Sequence, residues 1–134
     1  MRRRVGVALA IAVTAFGSSG CGGGSSTAAP ARLVSPAVFA ETVQEADRVT
    51  VNVHVPFEGD VGGTDLSVAY DRVRAQADRL PPPGTPLAIY CRSGTMSAAA
   101  APVLAELGYD DIVELDGGMV AWTASGRPLQ QSHG

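Results

Sequence analysis

Lysine is absent from this sequence, and each of its ten basic residues is an arginine. Arg2, Arg3 and Arg4 stand at the extreme N-terminus, so after Cys21 seven arginines face thirteen acidic residues, a net charge of −6. This balance excludes the basic surface with which proteins bind nucleic acid. An acidic surface is ordinary for a folded domain and identifies no partner.

A membrane-spanning apolar run is also missing, because the apolar segment at residues 5–16 is too short to cross a bilayer. It has the length of a signal-peptide core, and three arginines precede it. Small residues follow it up to Cys21, and the segment resembles a bacterial lipoprotein signal, in which such a cysteine becomes lipidated. We therefore expect a signal peptide at residues 1–20 and a lipidated cysteine with a flexible Gly/Ser/Ala/Pro tether at 21–31.

Ser18 departs from that pattern, since lipoprotein signals usually carry an aliphatic residue three positions before the cysteine. A secretory signal cut nearby, leaving Cys21 as a free thiol, stays open as the alternative. The expected location is extracytoplasmic, either anchored to the bacterial cell membrane by the lipidated N-terminal cysteine or secreted.

Cysteine is scarce, with Cys21 and Cys91 the only two. If Cys21 is acylated, Cys91 is the single thiol of the mature chain and no internal disulfide can form. Such a thiol is either buried and inert or kept for chemistry.

The length of 134 residues suits one domain, which we place at residues 32–130, with a disordered tail at 131–134. Ser35 and Pro36 form a typical helix start. Hydrophobic periodicity predicts helices and strands in alternation: a helix from Pro36, a strand at 49–55, a helix at 68–80, a strand at 87–90, a helix at 97–107, a strand at 112–115 and a helix at 117–125. This order predicts an α/β fold with a mainly parallel central sheet and helices on both sides.

Cys91 directly follows the predicted strand 87–90, at the sheet edge where α/β proteins place their sites. The segment 91–97 then leads into a helix, and backbone N–H groups of such a loop can surround an anion. A cysteine there is expected to have a lowered pKa and to be partly thiolate. Arg92 adds a cation, and Gly94 permits a tight turn. A buried cysteine ending a core strand is the alternative.

The same segment, Cys-Arg-Ser-Gly-Thr-Met-Ser, resembles the active-site loop of the rhodanese sulfurtransferases, commonly Cys-Arg-Ser-Gly-x-Arg-Ser. Residues 113–118 (Val-Glu-Leu-Asp-Gly-Gly), Ala121-Trp122 and Gly126-Arg127-Pro128 are similar to that family's closing pattern. Residues 52–58 align with its Asp-Val-Arg-x-Pro-x-Glu. The resemblance extends over residues 32–129 and implies a rhodanese-like fold.

The resemblance implies a sulfurtransferase in which Cys91 is catalytic and carries sulfur as a persulfide. The expected substrates are a small anionic sulfur donor such as thiosulfate and an acceptor that is a thiol or cyanide. No metal or organic cofactor is expected, and any partner protein is unknown. The residues implied to bind substrate are those of the loop: Arg92, Ser93, Gly94, Thr95, Met96 and Ser97.

Three residues depart from the family's pattern. Asn52 replaces an aspartate and His54 an arginine, so a charge pair becomes neutral. Met96 stands where many members have a second arginine, which removes one cation from the anion site. His54 is also an auxiliary candidate, because a histidine at this sheet edge can tune a thiolate or carry a proton.

Three other functions stay open. One is a non-catalytic rhodanese-like sulfide or redox sensor, or a binding module on the cell surface. Another is a phosphatase or arsenate reductase, although these need a longer loop ending in arginine, where this chain has Ser97. The third is a metal carrier using His54, Cys91 and His133, although their spacing matches no metal motif.

Overall fold

The elements are described from a computed structural model, which covers residues 30–131. Strands and helices alternate through most of this region. In chain order the elements are β1 (Arg32–Val34), α1 (Pro36–Thr42), β2 (Val49–Asn52), β3 (Leu66–Ser67), a 3₁₀ turn (Ala77–Arg79), β4 (Leu87–Tyr90), α2 (Thr95–Glu106), β5 (Ile112–Leu115) and α3 (Gly118–Ala124). The predicted signal peptide, Cys21 and most of the tether lie outside the described residues, as do positions 132–134 of the predicted tail.

The strands form one five-stranded sheet in the order β1-β5-β4-β2-β3, and every pairing is parallel. This confirms the predicted fold class. β4 lies at the centre, and all four of its residues are buried. Because the strands are parallel, their carboxyl ends meet at one edge, and Cys91 leaves the sheet there.

Alternation along β4 divides the core between the two faces of the sheet. Leu87 and Ile89 point to the face covered by α2, where Ala100 and Leu104 pack against them. The opposite face, covered by α1 and α3, is packed by a second cluster: Val34, Phe39, Val61, Ala88, Tyr90, Val113, Leu115, Met119 and Trp122. Helices on both faces bury the sheet, as a parallel sheet requires.

The predicted helix at residues 68–80 is wrong. Val68 and Tyr70 instead donate backbone hydrogen bonds to Asn52 and Val53, which continues the pairing of β3 beside β2. Turns follow, and only Ala77–Arg79 is helical, as a 3₁₀ turn. The apolar spacing is still used, since Val73 and Leu80 are buried in the core. Pairing with a distant strand therefore outweighed the local helical pattern.

Within residues 30–131, none of the helices combines the length and the apolar character that crossing a membrane requires.

Candidate active site

The loop after β4 surrounds the thiol of Cys91 with hydrogen-bond donors. The N–H of Gly94 lies 3.0 Å from Cys91 Sγ, and Ser97 Oγ lies 3.5 Å from it. Gly94 has φ +105°, a left-handed conformation that favours glycine and turns the chain back over the sulfur. α2 begins at the next residue, and the N–H of Ser97 in its first turn also hydrogen-bonds to the sulfur.

Burial by itself would raise the pKa of the Cys91 thiol, since the side chain is almost fully enclosed. Hydrogen bonds from the Ser97 hydroxyl and from the backbone N–H groups of Ser97, Gly94 and Ser93 outweigh burial and lower the pKa below its ordinary value. The loop thus stabilises the thiolate, which is the nucleophilic form, relative to the thiolate of a free cysteine.

The other loop residues differ in their placement. Ser93 and Thr95 are exposed, and Met96 is half-buried against the core under α2. The Arg92 side chain extends outward and lies 3.2 Å from the carboxylate of Glu58. The structure therefore brings Cys91, Gly94 and Ser97 together through side chain and backbone, while Arg92 is an outer, already paired cation.

The start of α3 packs against the loop and hydrogen-bonds to its backbone. The N–H groups of Met119 and Val120 donate to the carbonyl oxygens of Cys91 and Arg92, at 2.9 and 3.0 Å. Gly118 makes this approach possible: a Cβ there would lie only 2.4 Å from the Cys91 carbonyl oxygen. The closing Gly-Gly pattern therefore fixes the loop by direct contact with its backbone.

Asn52 organises the segment between β2 and β3. Its amide nitrogen donates to the Gly59 carbonyl and to Asp60 Oδ1, at 3.1 and 2.9 Å. Its amide oxygen accepts from the backbone N–H of His54, at 2.9 Å. These contacts assign Asn52 a structural task at the sheet edge.

His54 is joined to the loop through Glu58 and has no direct bond to Cys91 in the structure. His54 Nε2 hydrogen-bonds one carboxylate oxygen of Glu58, whose other oxygen pairs with Arg92. The ring is buried, and among residues 30–131 its Nδ1 finds no hydrogen-bond partner. The structure thus places the auxiliary candidate against Glu58, one residue removed from Arg92.

A surface cavity of about 210 Å³ opens beside this ion pair. Glu58 and Arg92 form its polar side, and the exposed Val120 contributes to its apolar side. This volume accommodates a small molecule next to the loop. The remaining lining residues come from α3 and the segment after it: Met119, Thr123 and Leu129.

Two acidic residues of the site had no role assigned from sequence. Glu58 bridges His54 and Arg92, as described above. Glu114, in the middle of β5, is buried and accepts a 2.5 Å hydrogen bond from the Ser97 hydroxyl. The sequence could have indicated Glu114, because a carboxylate inside the apolar run 112–115 requires a partner in the core.

Burial raises the pKa of Glu114, the hydrogen bond from Ser97 works in the opposite direction, and the negative charge of Asp116 adds to the increase.

The residues that the structure describes bring no three His, Cys, Asp or Glu side chains together in a metal-binding group. His133, named in the metal-carrier alternative, lies outside them.

Comparison with known proteins agrees with the family resemblance seen in the sequence. A family model described as a rhodanese-like domain matches residues 49–125. The thiosulfate sulfurtransferase GlpE of Pseudoalteromonas translucida is 31% identical over 72 residues, which are 54% of this chain and 61% of that protein. A rhodanese-related protein from Thermoplasma volcanium superposes with a TM-score of 0.64 at 26% identity, covering 75% of this chain and 99% of that one.

A longer relative is the tRNA uridine(34) hydroxylase of Chlamydia pneumoniae, 28% identical over 101 residues. The match covers 69% of this chain and 31% of that protein. The chain therefore spans less than a third of the length of this relative.

Proposed function

The chain belongs to the rhodanese-like domain family, and on that premise we propose that it transfers sulfane sulfur through a persulfide on Cys91. The observation that carries the proposal is the set of N–H and hydroxyl donors around Cys91 Sγ, which lowers the pKa of the thiol. The relative named a thiosulfate sulfurtransferase supports the reaction class.

In the first step the Cys91 thiolate attacks the outer sulfur of a donor such as thiosulfate. A sulfur–sulfur bond to Cys91 forms, the donor's own sulfur–sulfur bond breaks, and sulfite leaves with the electron pair. The product is a negatively charged persulfide on Cys91. Backbone N–H groups of Ser93, Gly94 and Ser97, which favour the thiolate, are expected to stabilise this anion as well.

In the second step cyanide or a thiolate attacks the outer sulfur of the persulfide. The bond to Cys91 breaks, the acceptor leaves with the sulfur, and the Cys91 thiolate is restored. Two displacements replace one, which is nucleophilic catalysis with a covalent intermediate. The expected partners are therefore a small anionic donor and a thiol or cyanide acceptor.

Steady-state sulfur transfer tests this proposal, with thiosulfate and cyanide varied against each other. We expect parallel double-reciprocal plots, the pattern of a ping-pong reaction, and complete loss of turnover in Cys91→Ser. The matched control is Cys21→Ser, which changes the chain's other cysteine and is expected to retain the wild-type rate. Turnover that survives in Cys91→Ser would refute the proposal.

A sensor or binding module is the second candidate, and two observations favour it. Cys91 is 1% exposed, and Arg92, the arginine of the loop, is already paired with Glu58. A module of this kind would acquire or lose sulfur on Cys91 without turnover. No turnover with any donor, together with a persulfide that forms once, would select this candidate.

We further propose that the protein acts outside the cytoplasm, held to the bacterial membrane by lipid on Cys21. The arginines, the apolar segment at 5–16 and the small residues before Cys21 support this. Membrane fractionation of the wild type and Cys21→Ser tests it. Wild-type protein in the membrane fraction and Cys21→Ser outside it is the expected result, and identical soluble distributions would contradict it.

A further inference from the structure

Glu114 is a buried carboxyl for which the sulfur-transfer steps have no use. It lies on β5, next to central strand β4, and its side chain is turned toward the start of α2. Its neighbours in the sheet are Leu33 on β1 and Ile89 on β4, both uncharged. A buried carboxylate without a cation is costly, so its contact with Ser97 calls for an explanation.

The Ser97 hydroxyl lies between two titratable groups. Its oxygen is 3.5 Å from Cys91 Sγ on one side and 2.5 Å from Glu114 Oε1 on the other. The Gly94 carbonyl, 3.2 Å away, is a further acceptor. Because a hydroxyl has one proton to donate, Ser97 cannot donate to a thiolate and to a carboxylate at the same time.

When Cys91 and Glu114 together carry one negative charge, this limit leaves two arrangements of the hydrogen bonds that run from Cys91 through Ser97 to Glu114. Either Glu114 is a carboxylate that accepts from Ser97 and Cys91 is a protonated thiol, or Glu114 is protonated and donates to Ser97, which then donates to a Cys91 thiolate. Both carry one negative charge. They differ by one proton shifted from sulfur to carboxyl: the S–H bond breaks, Ser97 exchanges its proton, and an O–H bond forms on Glu114.

We propose that Glu114 acts on Cys91 through Ser97, holding the proton that the thiol gives up when it becomes a thiolate. This rests on the proposed function only in treating Cys91 as the reactive thiol. Glu114 does not touch the sulfur, so it is a positioning residue whose protonation decides the direction in which Ser97 donates.

The surroundings of both groups shift the balance toward the arrangement with a thiolate. Burial disfavours negative charge on Glu114, and Asp116 repels it from further along the chain, whereas N–H groups favour negative charge on Cys91. Within residues 30–131, the other elements beside Glu114 present uncharged residues to it: Leu33 and Ile89 are its partners on β1 and β4, and Ala98 and Ala101 of α2 line the same cavity.

A small cavity provides access between this carboxyl and solvent. Its volume is about 190 Å³, and Glu114 is its acidic lining residue among small and apolar ones: Pro30, Ala31, Leu33, Ala98 and Ala101. This space is large enough to admit water. The proton held on Glu114 can therefore exchange with solvent on the side of the sheet away from the cavity beside Glu58 and Arg92.

The test is the pH profile of Cys91 alkylation by iodoacetamide, in the full chain carrying Cys21→Ser so that Cys91 is its single thiol. A coupled pair titrates in two macroscopic steps. We expect the wild-type rate to rise, level off while the pair shares one proton, and rise again when the second proton leaves. Glu114→Gln keeps the shape of the side chain and removes its ionisable group. The alkylation rate of this variant is therefore expected to rise in a single step, about tenfold per pH unit below the midpoint.

Two further variants keep this test decisive. Ser97→Ala breaks the link without changing Glu114 and is expected to give a single step with a higher midpoint. Glu106→Gln, the same substitution at an exposed glutamate on α2, is expected to keep the two-step profile. Infrared spectroscopy of the folded protein should show a protonated carboxyl band at the plateau pH that is absent from Glu114→Gln.

A single step in the wild type that coincides with that of Glu114→Gln would overturn the proposal. A Cys91 that resists alkylation at every pH would overturn both this proposal and the proposed function. A two-step profile without any sulfur transfer would refute the sulfurtransferase and support the coupling between Glu114 and Cys91.

Discussion

Gly118→Ala tests the contact on which the loop around Cys91 depends. Gly118 has φ +58°, and a Cβ there would meet the Cys91 carbonyl oxygen at 2.4 Å and the Arg92 carbonyl carbon at 2.6 Å. Both atoms belong to the backbone, so rotation of a side chain cannot relieve the clash. The start of α3 must instead move away from the loop.

The cost can be worked out from these contacts. Placing an L-residue in the left-handed region costs about 1 kcal/mol. Moving α3 also breaks the hydrogen bonds from Met119 and Val120 to the loop carbonyls, at about 1 kcal/mol each. The free energy of unfolding should therefore fall by about 3 kcal/mol, which lowers Tm by roughly 12–24 °C in a domain of this size.

Gly126→Ala is the matched control. Gly126 has φ +85°, but a Cβ there would meet no atom within 4 Å. It carries the backbone cost alone, so we expect a loss of about 1 kcal/mol. Urea denaturation of both variants gives the comparison. If Gly118→Ala loses no more stability than Gly126→Ala, the close contact between α3 and the loop does not hold the site in place.

Other contacts in the structure give three further predictions. Tyr90→Phe leaves the Val61 N–H, which donates to the Tyr90 hydroxyl at 3.0 Å, without a partner in the core, and thermal denaturation should show a loss of about 1–3 kcal/mol. The raised pKa of Glu114 means that its contribution to stability is present at pH below the unfolded pKa and is lost as pH rises through the folded pKa. Urea denaturation at several pH values should therefore show Glu114→Gln gaining stability over the wild type as pH rises through that folded pKa, with no such advantage in acid. Arg48→Lys loses the two-point contact with Asp111, at 3.1 Å to each carboxylate oxygen, and should cost about 1 kcal/mol by the same assay; an unchanged midpoint would show that a single charge suffices there.

Most of the fold could be predicted because its central strands are short apolar runs with clear ends. The runs 87–90 and 112–115 are β4 and β5 as predicted. β1 was not recognised, because three residues carry too little pattern and its pairing with β5 spans most of the domain. The helix predicted at 68–80 failed for a related reason: Val68 and Tyr70 hydrogen-bond to β2, and local periodicity does not encode such distant pairing.

The candidate site could also be predicted only in part, and again local contacts were predictable while distant ones were not. Cys91, Gly94 and Ser97 lie within one loop, so sequence spacing was sufficient to group them. Glu114 comes 17 residues after Ser97 and reaches it only because β5 pairs with β4. Glu58 joins Arg92 across 34 residues. These contacts depend on how segments distant in the chain come together in the fold, which local sequence spacing does not encode.

The intact mass of the full chain after incubation with thiosulfate, and removal of the excess, tests the central claim most directly. The account predicts a product heavier by one sulfur atom, absent in Cys91→Ser, present in Cys21→Ser and returned to the starting mass by cyanide. An unchanged mass in wild-type protein whose Cys91 still reacts with iodoacetamide would contradict transfer from thiosulfate. An unchanged mass with an unreactive Cys91 would mean that the thiol is structural and that the chain is not a sulfurtransferase.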